Sequence, residues 1–376
     1  MDFGLIFREL TSGLAVFSWG NAFMIGVGLL LIYLAIAKEY EPVLLLPIGF
    51  GCILANIPMT GMTDSDGLLG ILYKAGIATE LFPLLIFIGV GAMIDFSPLL
   101  AQPKMVLLGA AGQFGIFGVL ILAIMLGFDL NEAASIGVIG AIDGPTSIFV
   151  ASKLAPHMLA PIAVAAYSYM SLIPIIQPPI MRMMTTRQER LIRMEYTPRP
   201  ISRRTLVLFP VLISISVGLL VPAALPLIAS LMLGNLLKVS GVVDRLSKSA
   251  QNEIINVATL FLGVTIGSTM VAQSFLNWDT MLILILGLLA FILDTIAGLT
   301  FGKIMSFFSH GTINPLIGAS GISAFPMAGR LAAKMASEED YDNFILMHAM
   351  GANTAGQLGS VVAGGVLLSI VLGIMQ

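Results

Sequence analysis

The 376-residue chain is 57% hydrophobic and 10% charged, with a mean hydropathy of +0.99 and a formal net charge of −3. Soluble domains are roughly 45–50% apolar, so this composition excludes a soluble globular protein and describes an integral membrane protein that crosses the bilayer many times. The single cysteine, Cys52, excludes a disulfide framework and a thiolate metal site.

In chain order, residues 1–18 read as a short amphipathic lead-in without the basic start of a signal peptide. Apolar runs between charged or Pro/Gly breaks then predict elements near 19–37, 43–57, 81–98, 105–128, 132–156 and 157–181, a first membrane repeat over 19–181. A loop over 182–204 follows. It holds Arg182, Arg187, Arg190, Arg193, Arg199, Arg203 and Arg204, and by the positive-inside rule it is cytoplasmic. Elements near 206–221, 223–238, 254–275, 280–302, 306–333 and 344–375 form a second repeat over 205–376.

Residue spacing supports the repeat. Leu46-Pro47 precedes Asn56 as Leu225-Pro226 precedes Asn235, at an offset of 179, and Gly140-Ala141 faces Gly318-Ala319 at nearly the same offset. If the broken element of each half enters and returns, five crossings remain per half and the halves are inverted. Charge favours this arrangement: Lys38, Lys104, Lys238, Arg245, Lys248, Lys303 and Lys334 fall on the arginine-loop side, and Asp64, Asp66, Glu80, Asp129 and Glu132 fall opposite. The expected fold is therefore all-α and polytopic. It has two inverted repeats, about ten transmembrane crossings and two broken or re-entrant helical segments of the kind that meet near the midplane in carriers.

The first broken segment contains Asp143 in Gly140-Ala-Ile-Asp-Gly-Pro-Thr146. A carboxylate at the centre of a bilayer costs about 2.5–3.5 kcal/mol on insertion scales, and a Gly-Pro break frees backbone carbonyls. Asp143, Thr146 and those carbonyls make an oxygen-rich place for a hard cation. The blander alternative is a surface turn in which Asp143 caps the helix beginning at Pro145. The second broken segment offers Asn314, Ser320, Ser323 and Arg330, the last a fork for a carboxylate. Its small residues also suit close helix packing, and Arg330 also suits snorkelling to the interface. In the last helix Asn353 and Ser360 share a face. Tyr169 reads either as an internal hydroxyl or as an interfacial belt residue; Asp294 is a further intramembrane acid, and His348 either handles protons or makes an interfacial hydrogen bond. No Walker loop, paired metal-binding histidines or Gly-x-Ser-x-Gly elbow occurs, which leaves ATP hydrolysis and soluble-type nucleophilic catalysis unsupported.

Longer strings carry a resemblance. Asp143-Gly-Pro-Thr-Ser-Ile-Phe-Val-Ala-Ser-Lys-Leu-Ala-Pro156, Asn314-Pro-Leu-Ile-Gly-Ala-Ser-Gly-Ile-Ser-Ala-Phe-Pro-Met-Ala-Gly-Arg330, His348-Ala-Met-Gly-Ala-Asn353, Phe82 to Phe96 and Gly234-Asn235-Leu-Leu-Lys238 resemble signature segments of the β subunit of sodium-pumping biotin-dependent decarboxylases. That family acts on oxaloacetate, methylmalonyl-CoA, glutaconyl-CoA or malonate. The resemblance runs from about residue 15 to the C-terminus. It implies a subunit in the prokaryotic inner (plasma) membrane that receives carboxybiotin from a partner, releases CO2 with consumption of a proton and exports sodium. It also implies a carboxyltransferase subunit, a biotin carrier subunit and a small membrane γ/δ subunit as partners, with homo-oligomers possible and no nucleic acid.

Carried over by position, the sodium-linked acid is Asp143 and the functional tyrosine is Tyr169. The metal ligands fall on Asp143, Asn353, Ser360, Ser323 and Asn314, the carboxybiotin contacts on Arg330, Asn314 and Ser323, and the catalytic groups on Arg330, Tyr169 and Asp143. Gly318 is a packing position. Phe325 and Gly329 stand where Val and Ala are expected, and Ala352 where Pro is expected. The rival reading from the residues alone is a secondary sodium–carboxylate symporter built on the same inverted repeat. The arginine loop discriminates between the two: a docking surface suits a complex, and a topology determinant suits either.

Overall fold

A computed structural model describes residues 11–196 and 200–375. Residues 1–10 of the lead-in and Arg199 of the arginine loop lie outside them. The described residues are helical throughout, with no strand among them.

Helix α1 (Trp19–Ala37) opens with a capping box, in which Ser18 accepts from the Asn21 backbone and the Asn21 side chain accepts from Ser18. It is followed by α2 (Pro42–Ala55), α3 (Leu81–Met93), α4 (Val106–Ala111), α5 (Phe114–Met125), α6 (Leu130–Gly137), α7 (Gly144–Leu154) and α8 (Leu159–Met184). The second half comprises α9 (Arg203–Leu220), α10 (Leu225–Ser240), α11 (Ile255–Ser268), α12 (Trp278–Phe308), α13 (Met327–Glu339) and α14 (Leu346–Met375). Among the described residues seven helices are long and apolar enough to cross a membrane, or eight if the pair Leu68–Ile77 and Leu81–Met93, bent by 59°, counts as one span. In α9 only Pro210 is buried, so an apolar helix presents nearly its whole surface to the surroundings, as lipid contact requires.

Both expected broken elements are present. Val138–Ala141 forms a 3₁₀ turn between α6 and α7, and Pro315–Gly321 forms another before α13. The second break begins later than the apolar run suggested, because α12 continues through Phe308.

The halves cross-brace one another. Helix α2 packs on α11, and α3 packs on α10. Gly91 lies against the Leu231 backbone and Gly51 against that of Val264, where a Cβ would collide with a carbonyl. Beside these contacts Asn56 donates to the Met270 carbonyl at 2.7 Å, and Asn235 donates to the Gly91 carbonyl at 3.4 Å and the Ile94 carbonyl at 3.1 Å. Asn56 and Asn235 are 179 residues apart, and so are Gly91 and Met270. Each half lends the other the same amide for the same exposed helix end. A π-helical turn also precedes α3 at Tyr73–Ile77 and α11 at Ala250–Ile254.

Candidate functional site

The first broken segment is built to deliver a carboxylate to the interior. Asp129 caps α6 through the Glu132 backbone at 2.8 Å, and Glu132 returns the bond at 3.0 Å. After the 3₁₀ turn Ile142 adopts a left-handed conformation, φ 52°, which costs a β-branched residue on the order of 1–3 kcal/mol. That reversal turns Asp143 inward. Gly144-Pro145 then starts α7, since proline needs no amide partner in a first turn. The capping alternative does not describe Asp143, whose side chain makes no cap bond to α7.

Instead the carboxylate sits in a nest of donors. Asp143 Oδ2 accepts from Thr146 Oγ1 at 2.6 Å, Gln357 Nε2 at 3.0 Å and Ser360 Oγ at 3.1 Å. All four side chains are buried, and the described residues supply no cation to Asp143. Three hydrogen bonds make a buried carboxylate tolerable. The nest couples the first break to α14, where Gln357 and Ser360 lie three residues apart on one face.

The second broken segment meets the first directly. Both the hydroxyl and the backbone amide of Ser323 donate to the Ala141 carbonyl. The carbonyls freed around this break are taken up by three amide side chains: Gln177 holds Ala319 at 2.8 Å, Gln113 holds Gly321 at 3.3 Å and Asn353 holds Ile322 at 2.8 Å. A break inside a membrane persists only with such partners. Asn353 Oδ1 remains buried without one. Gly318 packs against the Gly298 backbone, the packing position expected of it.

A cavity of about 210 Å³ joins these parts, lined among others by Ile142, Asp143, Tyr167, Ser323, Phe325 and Gln357. The structure thus brings Asp143, Ser323 and Ser360 together, with Asn353 holding the carbonyl beside Ser323. Other expected residues lie elsewhere. Asn314 is buried at the arginine-loop end, where its Nδ2 donates to the carbonyls of Arg190 and Ile192, both at 2.9 Å, and its Oδ1 accepts from Leu316. Tyr169 donates to the Leu284 carbonyl of α12 and does not line the cavity, whereas Tyr167 lines it and its hydroxyl has no partner among the described residues. Arg330 is exposed in the first turn of α13, with no ion pair among the described residues. Asp294 accepts from the Gly115 amide and leaves its second oxygen unpartnered. His348 lines a separate polar cavity of about 520 Å³ beside Lys104 and Arg193.

The arginine loop folds back on the end of α13. Arg190 pairs with Glu339 at 2.7 Å, Arg187 with Glu339 at 3.3 Å and Arg182 with Glu338 at 3.3 Å; Arg193 holds Asp340 through two bonds of 2.6 and 2.9 Å. These bonds from Arg190 and Arg193 hold the carboxyls of Glu339 and Asp340 below their ordinary range.

Sequence reasoning missed Gln357, Tyr167, Gln113 and Gln177. Gln357 was within reach, because it lies between Asn353 and Ser360 at spacings that share their face. The other glutamines carry no local signal.

Comparison with known proteins identifies the family. The family described as the Na+-transporting oxaloacetate decarboxylase beta subunit matches residues 20–371. The beta subunit of methylmalonyl-CoA decarboxylase from Veillonella parvula is 53% identical, the alignment covering 96% of this chain and 95% of that one. The beta subunit of glutaconyl-CoA decarboxylase from Acidaminococcus fermentans is 52% identical over 96% of each chain. The oxaloacetate decarboxylase beta chain of Klebsiella pneumoniae is 46% identical over 96% of this chain and 97% of its own length. The chain belongs to the beta subunits of the sodium-transporting decarboxylases, and it is the membrane subunit of a sodium-pumping decarboxylase rather than a lone symporter.

Proposed function

We propose that this subunit decarboxylates carboxybiotin presented by a biotin carrier subunit and couples that step to sodium export through the Asp143 nest. The N–CO2 bond of carboxybiotin breaks, CO2 leaves and the ureido nitrogen takes up one proton, so charge develops where an acid must be at hand. The observation that carries the reading is the nest itself: a buried carboxylate with no protein cation, ringed by Thr146, Gln357 and Ser360 and joined to Ser323 through one cavity. Sodium takes oxygen ligands. On its arrival the hydroxyls can turn their lone pairs toward it, with Asn353 Oδ1 as a further neutral oxygen.

Arg330 receives the carboxyl group, its exposure and lack of an ion pair leaving the guanidinium fork available. Tyr169 and Tyr167 supply hydroxyls on the two sides of α8. Asn314, tied to the loop carbonyls, shapes the approach to the second break rather than contacting the ion. Outward movement of one sodium charge against 100 mV costs about 2.3 kcal/mol, a load that one decarboxylation can carry.

The exchanged asparagines support two inverted repeats. Ten crossings follow when α2, the bent pair ending in α3 and the continuous helix through α11 are counted with the other long helices. The working complex contains carboxyltransferase, biotin carrier and small γ/δ subunits in the inner membrane of a prokaryote, with homo-oligomers of this subunit possible.

The test is to purify the native complex, look for a co-purifying biotinylated protein and assay sodium-stimulated CO2 release from carboxybiotin. Asp143→Asn should abolish the sodium-dependent rate. Sodium-coupled turnover retained in that variant would sink the assignment.

A further inference from the structure

The cavity that contains Asp143 does not end there. Three more polar residues line the same space: Glu41 at the start of α2, and Asn256 and Thr259 in the first turns of α11. Thr259 is 7% exposed, yet its hydroxyl has no hydrogen-bond partner among the described residues. That is unusual for a helical threonine, which ordinarily bonds the carbonyl one turn back, as Thr265 does to Phe261. Glu41 is half-buried and has no hydrogen bond or ion pair from its side chain among the described residues, and its backbone is left-handed, φ 36°. Tyr167, with its own unpartnered hydroxyl, lies within electrostatic reach of both Glu41 and Asp143. The cavity is therefore lined by two carboxylates, Glu41 and Asp143, and by neutral oxygens.

The cavity wall includes Val90, one turn from Met93, whose carbonyl accepts from Lys238 at 2.9 Å.

We propose that Glu41, Asn256 and Thr259 form an outer site for a monovalent hard cation, from which sodium passes along the cavity to Asp143. One carboxylate with neutral oxygens balances a single charge, whereas divalent sites gather several carboxylates. A free hydroxyl and an unpaired carboxylate in one cavity leave unmet the hydrogen-bonding capacity that a partly dehydrated ion uses. The inference rests on the reading of Asp143 as the inner sodium ligand.

The experiment uses the intact purified complex, with CO2 release from carboxybiotin titrated against sodium chloride at ionic strength held constant with choline chloride. In Glu41→Gln the sodium concentration for half-maximal rate should rise about threefold to tenfold while the maximal rate falls less than twofold, the signature of lost ion binding rather than lost chemistry. Glu41→Asp should restore most of the shift. Thr259→Val should shift the curve in the same direction, which keeps the test decisive if Glu41→Gln does not assemble. An unchanged half-saturation in the variants that assemble, or a loss of maximal rate alone, overturns the outer site. Asp143→Asn run alongside separates the two ideas: a dead Asp143→Asn beside an unshifted Glu41→Gln rejects the outer site only, and a fully active Asp143→Asn rejects the inner one.

Discussion

The two broken segments occupy matching places in the two halves but divide the chemistry between them. The first is buried from α6 to α7, carries the acid at its break and is held by side chains of α14. The second has no acid at its break. It supplies carbonyls and Ser323 there, and gathers its charge at the outer end of α13, where Glu338, Glu339, Asp340 and Asp342 meet the arginine loop. One interrupted segment thus carries a buried acid, and the other carries freed carbonyls and a charged end on the arginine loop.

Five substitutions probe that division. The largest effect belongs to the acid: Asp143→Asn should lower sodium-dependent CO2 release at least about 100-fold, beyond the 10–100-fold typical of losing a supporting group. A loss confined to a few-fold would move the ion site away from the first segment. Next comes Gln357→Leu, expected to raise the sodium concentration for half-maximal rate about 10–100-fold by removing one donor that orients the carboxylate. If only expression suffers, the glutamine is structural.

A smaller effect tests the symmetry itself. Asn56→Ala and Asn235→Ala each strand buried carbonyls of the opposite half, at about 1–3 kcal/mol each. Thermal denaturation in detergent should show similar losses for the two, and a large inequality would break the repeat. The smallest effect concerns the strap between the loop and α13. Because Glu339 and Asp340 titrate below the usual carboxylate range when folded, the strap's contribution is present at neutral pH and is lost as pH falls through their lowered pKa values. Protection of the amides over 182–193, measured against their intrinsic exchange rate at each pH, should therefore fall below about pH 4, and Arg190→Gln should show that lower protection already at pH 7. Protection that does not respond to acid would mean that the loop is held through its Arg190 and Ile192 carbonyls alone, which accept from Asn314 and also from Asn343 at 3.0 and 3.2 Å.

How much of this was legible in the chain depends on the range of the interaction. The presence of both breaks follows from local patterns, α1 ends at Ala37 as its apolar run does, and Asp143 announces itself by its cost, whereas the helix before the second break runs on to Phe308, past its expected end. Spacing along one helix placed Asn353 and Ser360 on a common face, and the same rule reaches Gln357. What spacing could not give is which carbonyl a long side chain finds. Asn314 belongs to the arginine loop because Arg190 and Ile192 come to it through the fold, from more than a hundred residues away. The loop read as a topology signal or a docking surface, and its acidic partners near residue 340 are visible only in three dimensions.

One residue of that loop has a mechanical role. The Arg190 side chain grips Glu339 at the end of α13, while its backbone carbonyl grips Asn314 at the opening of the second break. A beam pinned at both ends by the same post can bow only in its middle. For the span from 314 to 339 the middle is the stretch through Ser323 and Phe325, the part that lines the cavity with Asp143.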